Sequence, residues 1–324
     1  QQKMMDAHWG MKLRVYSGAM ISLLDLFTDI QAIARFFKEG RNGFAWTNIA
    51  FVTAAIAIQI LVVYIQNKRR GAKKMAIELL IVATMLKPAV DAFRVVNSKT
   101  STTEAEEDAA FDAHMELVFT KVSEMFAESI PSSVLQTYAV LGQENVSGEA
   151  IFSIVTSVFT IAYASATVSI DYDTDPGKRV QTRSFYGYMP DNNRLQVMVL
   201  MIIMTASHVL MKIIACSLML KLSSAWFQIY VLGDMIIYFL FKIFRNNLRW
   251  WLRVDGALSW FVTFVMRFMV KAIVDFTLIV HFRHPYEVGG LFWFVNLGLN
   301  QGFCFVAVFL FKNRIAQDSR RNGC

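Results

Sequence analysis

Apolar residues along this chain collect into nine segments, 15–37, 44–66, 75–96, 113–142, 149–170, 196–221, 224–244, 255–283 and 289–312, joined by short connections in which the basic residues cluster. A run of about 20 apolar residues is long enough, as a helix, to cross a hydrocarbon core of about 30 Å. The pattern therefore predicts an all-α, polytopic helical membrane protein. One segment differs from the rest: 113–142 contains Pro131 and carries Glu116, Lys121, Glu124 and Glu128 along one half.

The basic connections decide how many segments cross. Cytoplasmic loops carry an excess of Lys and Arg, and loop 67–74, with Lys68, Arg69, Arg70, Lys73 and Lys74, is the strongest such signal. Counting back from it places the N-terminus, with Lys3, Lys12 and Arg14, on the same side. If all nine segments cross, the basic stretches 171–195, 245–254 and the C-terminal tail fall on the opposite side, three violations of the rule. Making one segment re-entrant removes all three. Segment 113–142 is the first choice, because proline breaks a helix and broken backbone at membrane depth is tolerated only inside protein or along a cavity. Segment 75–96 is the fallback. The expectation is about eight transmembrane helices plus one re-entrant helix, with both termini cytoplasmic. Connection 143–148 then faces outward, where Asn145-Val146-Ser147 is a candidate glycosylation acceptor.

The two ends of the chain share a plan. Segments 15–37, 44–66 and 75–96 align with 196–221, 224–244 and 255–283, with Trp46 standing against Trp226. Lys87-Pro88-Ala89-Val90-Asp91 is likewise echoed by Lys271-Ala272-Ile273-Val274-Asp275. Two parallel pseudo-repeats follow, an arrangement common in proteins that move solutes or lipids. The expected division is an N-terminal repeat at 1–170 holding the re-entrant helix, a cytoplasmic linker at 171–195 and a C-terminal repeat at 196–324.

Lysine and aspartate four apart share a helix face and can pair, and ionisable groups at bilayer depth are costly enough to be read as a functional site by default. Asp25 and Asp29 also share a face. Two bare carboxylates there would repel, so one must bind a cation, pair with a base or take a proton. Arg267, Lys271 and Asp275 form a ladder at four-residue spacing; unpaired near the bilayer centre, three such groups would cost about 8–10 kcal/mol on the insertion scale. Asp25, Asp29, Glu124 and Glu128 are the expected counter-charges. Two readings stand: a closed salt-bridge network that holds helices in register, or a hydrophilic furrow that brings headgroups or ions toward the midplane.

Composition narrows the class further. A hydrophobic share of 55% with 27 Phe argues against a soluble fold. The net charge of +7 sits in loops, so it orients spans and does not mark a nucleic-acid partner. Cys216, Cys304 and Cys324 make no disulfide framework. His281 and His284 have a spacing usable for metal, yet no third ligand follows, so no metal is expected. There is no Gly-rich phosphate loop and no nucleophile-plus-base pattern, which disfavours an ATP-driven pump or a hydrolase; no enzyme activity and no cofactor are expected. The chain opens at Gln1 without a cleavable signal pattern, which reads as a trimmed end.

Two stretches carry a family resemblance. One is Leu24-Asp25-Leu26-Phe27-Thr28-Asp29 running into Phe36-Phe37-Lys38-Glu39-Gly40, followed by an apolar span that ends near Gln59 and Gln66. The other is Glu128-Ser129-Ile130-Pro131-Ser132-Ser133-Val134-Leu135-Gln136-Thr137-Tyr138. Together, over roughly the first 140 residues, they resemble the XK-related family of membrane proteins, whose members include caspase-activated phospholipid scramblases. Ser132 stands where that family usually has glutamine. The resemblance implies an all-helical protein of two related halves and energy-independent lipid scrambling, with Asp25, Asp29, Glu128 and Gln136 at the matching positions. It does not extend to a caspase site, for which Ala316-Gln317-Asp318-Ser319 is too weak a match.

The leading expectation is a scramblase-like, multi-pass protein of the plasma membrane. Its headgroup or ion path would comprise Asp25, Asp29, Lys87, Asp91, Lys121, Glu124, Glu128, Gln136, Arg267, Lys271 and Asp275. Membrane phospholipids are the expected partners, with a single-span membrane chaperone or a second copy of the chain as protein partners. The runner-up is an ion channel or secondary transporter that uses the Asp/Lys pairs, and the third reading is a non-transporting scaffold.

Overall fold

The computed structural model describes residues 2–67, 71–97, 113–143, 145–174, 189, 193–245, 257–279, 295, 298–299, 301–302, 305–309 and 312–313. The regular elements among them are helical: α1 (Gln2–Lys38), α2 (Asn42–Asn67), α3 (Ala72–Ala83), α4 (Lys87–Asn97), α5 (Ala113–Glu124), a π-helical turn (Met125–Ser129), α6 (Ile130–Val140), α7 (Gly148–Thr174), α8 (Arg194–Leu222), α9 (Ser224–Phe244) and α10 (Ala257–Phe276). The chain forms two compact units. The first holds residues 1–133 with 147–167, and the second 134–146 with 168–324.

Among the described residues, four helices are long and apolar enough to cross a membrane: Asn42–Tyr64, Gly148–Thr174, Arg194–Leu222 and Ser224–Phe244. They differ in what surrounds them. The apolar window of α7 is 78% buried, against 17% to 28% for the other three. An all-round apolar helix enclosed by protein is a core helix, and the buried face of α7 is rich in small residues such as Ser157, Ala162, Ala166 and Thr167, which let neighbouring backbones come close. By contrast, α8 and α9 expose Leu200, Ile203, Ile229, Leu232 and Ile236, a surface suited to hydrocarbon.

The turn between α1 and α2 follows from its glycine. Gly40 adopts φ 71°, the left-handed conformation that favours glycine after a helix. Its N–H donates to Phe37 O (3.1 Å), and the Arg41 N–H donates to Phe36 O (2.8 Å). Two carbonyls that the helix end would leave bare are thereby satisfied.

Three expectations about the segments need correction. Segment 75–96 is not one helix: α3 stops at Ala83 and α4 starts at Lys87. At 12 and 11 residues, each is about 18 Å long or less, too short to cross alone. Between them Met85 has φ 59° and its N–H donates to Val82 O (2.9 Å), the role a glycine usually fills. Pro88 sits in the first turn of α4, where its missing N–H costs nothing.

Segment 113–142 is not broken at Pro131. It stays helical from Ala113 to Val140 by way of the π turn, in which the Ile130 N–H donates to Met125 O. The wider turn displaces the carbonyl that the proline ring would strike in a regular helix. Segment 255–283 also ends early, at Phe276, and 277–279 are non-helical. Segment 289–312 lies mostly outside the described residues, as do most of loop 97–112 and most of linker 171–195.

Candidate functional site

Three groups of buried polar side chains stand out, two in the first unit and one in the second. The first centres on Lys87, 1% exposed. Its ammonium donates to Asp91 Oδ1 at 2.6 Å and Glu116 Oε1 at 2.5 Å, and lies 3.4 Å from Glu78 Oε2. Arg94 closes the group from its rim, reaching Glu78 at 2.6 Å and Asp91 at 3.5 Å, while the Thr120 hydroxyl donates to Asp91 Oδ2 at 3.2 Å. Helices α3, α4 and α5 each supply members. The expected Lys87–Asp91 pair is present, with Glu78, Arg94 and Glu116 added.

The second group collects the carboxylates of α1, α5 and the π turn. Asp25 accepts from Ser157 (2.6 Å) on α7 and from Ser129 (3.1 Å), and Asp29 accepts from Ser132 (3.0 Å). Ser132, where the resembled family usually carries glutamine, thus supplies a donor to the second aspartate. Among the described residues Glu124 accepts one long hydrogen bond, from Ser22 at 3.4 Å, and feels the charges of Asp25 and Lys121. Glu128 feels the charges of Glu124, Asp29 and Asp25 and makes no hydrogen bond among the described residues. Lys121, on the helix of Glu124, is buried, and its ammonium lies 3.3 Å from where a Cβ on Gly18 would stand. A side chain at position 18 would press on both that ammonium and the Tyr163 ring, each 3.3 Å from the Cβ position.

A cleft of about 20 Å³ opens beside these carboxylates, lined by Ser22, Gln59, Glu124 and Glu128 together with apolar side chains that include Met85 and Pro88. That is room for one water-sized group. Gln59 is 7% exposed, lines the cleft and makes no hydrogen bond among the described residues. Farther along the same face of α2, Asn48 is fully buried with neither side-chain polar atom hydrogen-bonded among the described residues.

The third group lies in the second unit around Lys271, which is fully buried. It donates to Asp275 Oδ2 at 2.6 Å and also bonds Asp275 Oδ1 and Asp234 on α9. The ring of Tyr238 lies 5.9 Å from the Lys271 ammonium and 5.8 Å from that of Lys242, within cation–π range. His208 Nε2 is 3.0 Å from the Asp275 carbonyl, and Gln301 Nε2 is 2.8 Å from His208 Nδ1. The imidazole therefore donates through Nε2 and accepts through Nδ1. Since α10 ends one residue later, His208 satisfies a carbonyl that the helix end leaves over. Lys212 meets the Tyr230 hydroxyl and stacks over that ring at 4.6 Å.

The expected counter-charges are thus corrected. Lys271 finds Asp234 from its neighbouring helix and Asp275 from its own, while Asp25, Asp29, Glu124 and Glu128 gather into a separate acidic group. Arg267 is buried on α10 and Gln136 is fully buried on α6. Asn145 is exposed in the loop between α6 and α7, where the Ser147 hydroxyl accepts from the Ala150 N–H at 3.3 Å and caps α7. Sequence reasoning left out Glu78, Glu116 and Asp234 as site members. Each is an acid inside an apolar segment, and Asp234 is the single acid of its own, the signal that could have flagged them. Among the described residues no cluster of three or more His, Cys, Asp or Glu is arranged to hold a metal ion.

Residues 14–315 match the sequence profile described as XK-related protein. The chain belongs to the XK-related family. The match runs far beyond the first 140 residues, through the half in which no family motif was legible. No curated protein matches the chain.

Proposed function

We propose that this member of the XK-related family scrambles phospholipids without an energy source, headgroups moving past the acidic cleft of the first unit while acyl chains stay in the bilayer. The observation that carries this reading is the cleft itself. Ser22, Gln59, Glu124 and Glu128 form a polar seam among walls such as Leu23, Leu26, Val52 and Ile56, which suit hydrocarbon. A headgroup needs polar contacts at depth, and its tails need none. The groups around Lys87 and Lys271 have their charges directly paired, so we assign them to holding helices together. This removes Lys87, Asp91, Lys271 and Asp275 from the proposed path.

In the same reading the chain crosses the membrane eight times, both termini are cytoplasmic and the plasma membrane is its home. The re-entrant element is better assigned to α3 and α4 than to 113–142, because two short helices around Met85 make a hairpin whereas 113–140 is continuous. The basic loops stay cytoplasmic under either assignment. The partners are membrane phospholipids, with a single-span chaperone or a second copy of the chain in support.

The test is reconstitution of the full chain into liposomes, following acyl-labelled lipid flipping and ion leak in the same vesicles. Flipping that falls at least tenfold in a Glu124→Gln/Glu128→Gln variant supports the proposal. A selective cation current without flipping overturns it in favour of a channel, since four clustered carboxylates would equally attract a permeant cation.

A further inference from the structure

The cleft has a chemical preference that follows from its lining. Two carboxylates, Glu124 and Glu128, and the amide of Gln59 face it, while among the described residues no Lys, Arg or His lines it. Lys121, the buried cation on the same helix, sits against Gly18 and is not among the lining residues; its charge is felt at Glu124, one cation set against four carboxylates. Behind the lining stand Asp25 and Asp29. The local field is therefore negative, and a positive group is what the cleft attracts.

Bonding capacity narrows the choice. Glu128 is 9% exposed and Gln59 is 7% exposed, and neither makes a hydrogen bond among the described residues. A polar group without a hydrogen-bond partner keeps its bonding capacity for whatever enters the cleft, so both have bonds to offer. Glu124, with only the 3.4 Å contact from Ser22, has acceptor capacity left as well. Three acceptor groups converge on a space of about 20 Å³. A primary ammonium has three N–H donors and is close to a water molecule in size. A quaternary ammonium has no donors, is larger, and is recognised by aromatic cages. Among the described residues no Phe, Tyr or Trp lines the cleft.

We infer that the cleft formed by Ser22, Gln59, Glu124 and Glu128 is a binding site for a primary ammonium group, supplied by an amine-bearing lipid headgroup or by a soluble amine. For the lipid source this rests on the scrambling reading, since the headgroup must reach the cleft; for the soluble source it stands without it. The two carboxylates supply the field and two of the acceptors, and the Gln59 carbonyl supplies the third. A headgroup that is purely anionic is repelled.

Binding of ethanolammonium and of tetramethylammonium to the purified full chain in detergent, at matched ionic strength, is the direct test. Ethanolammonium is expected to bind at least tenfold tighter, and Glu128→Gln to remove most of that difference. Gln59→Leu should weaken ethanolammonium several-fold, and Glu124→Gln gives a second route should either variant fail to fold. Equal affinity for the two ions in the wild-type protein overturns the proposal, as does selectivity that survives in a folded Glu128→Gln variant.

Vesicles then separate the sources. With acyl-labelled phosphatidylethanolamine, phosphatidylcholine and phosphatidylglycerol, a lipid source predicts fastest flipping of the ethanolamine lipid, with the preference lost in Glu128→Gln. Selective amine binding with flipping indifferent to headgroup assigns the site to a soluble amine. Flipping without amine selectivity in the binding assay sinks this proposal and leaves the scrambling reading intact. Amine selectivity without any flipping does the reverse.

Discussion

Replacing Lys87 with methionine tests whether its charge group is structural. Methionine keeps an unbranched chain of similar reach but removes the ammonium. In the intact protein three carboxylates, Glu78, Asp91 and Glu116, surround Lys87 and Arg94, a formal balance of minus one. Without Lys87 the balance is minus two, and Arg94 reaches only Glu78 and Asp91. Glu116, formerly 2.5 Å from the ammonium, loses its cation. Removing one partner of a buried ion pair costs about 3–5 kcal/mol, because the other charge stays buried and uncompensated. Lys87 serves three carboxylates at 1% exposure, so the upper end applies. Against a typical folding stability of about 5–15 kcal/mol, that is a third or more of the total. At about 2–4 °C per kcal/mol for a chain of comparable size, the midpoint should fall by roughly 10–20 °C.

The measurement is a temperature ramp in detergent, with the folded fraction read by size-exclusion chromatography. The triple variant Lys87→Met/Asp91→Asn/Glu116→Gln removes the stranded charges too, and should recover most of the loss, because neutral replacement of a whole buried ion group is often close to neutral. It should also flip lipid at a rate near that of the wild type. A Lys87→Met protein that melts within about 2 °C of the wild type, on the same scale, would refute the assignment of this group to structure. A rescued triple variant that no longer flips lipid would return Lys87 and Asp91 to the path.

Other perturbations probe other elements. Met85→Gly relieves the left-handed backbone at the α3–α4 corner and should raise stability by about 1 kcal/mol, read as a midpoint increase; a decrease would mean that the Met85 side chain in the cleft contributes more than its backbone strain costs. His208→Leu strands the Asp275 carbonyl and should cost about 1–3 kcal/mol, whereas His208→Gln, whose amide can still donate, should lose less than half of that. Asn48→Leu replaces a buried amide without partners among the described residues and is expected to stabilise the protein by about 1–3 kcal/mol on the same scale while slowing lipid flipping; unchanged flipping would remove Asn48 from the proposed polar face of α2. A single cysteine at Ser101 should react with impermeant reagent only from the cytoplasmic side if α3 and α4 form the re-entrant hairpin, and only from outside if 113–142 does.

The class of the protein was legible because hydropathy is local: a run of apolar residues is the same signal whatever packs against it. The Lys87–Asp91 and Lys271–Asp275 pairs were legible for the same reason, since a spacing of four along one helix fixes the distance between side chains. What the spacing leaves open is the register between helices. Lys271 turns to Asp234, a residue 37 positions away, and nothing in the local pattern says that α9 presents that acid at that height. Pro131 was read as a break because a regular helix has no place for its ring, yet five residues in a π turn make one. The real break at Met85 was announced less directly, by Pro88 three residues on, since proline favours the first turn of a helix and marks a start.

Buried polar groups in this chain divide by how many of their bonds are made. Around Lys87 and Lys271 each charge has an opposite charge within contact distance, and moving any of them would break bonds that water cannot replace at that depth. Such a group can hold helices but has little left to offer a passing molecule. Asp25 and Asp29 are intermediate, since serine hydroxyls from α7, the π turn and α6 supply them with donors. Glu128 and Gln59 are at the other end, buried at the cleft with no hydrogen bonds among the described residues. Folding gains nothing from leaving them so, and a sequence selected for stability alone would fill those positions with leucine, as it does at Leu23 and Leu26 beside them. An unspent bond at a cleft is affinity held for something that arrives later. The same criterion that takes the two Lys–Asp pairs out of the proposed path therefore puts the proposal at Glu124, Glu128 and Gln59.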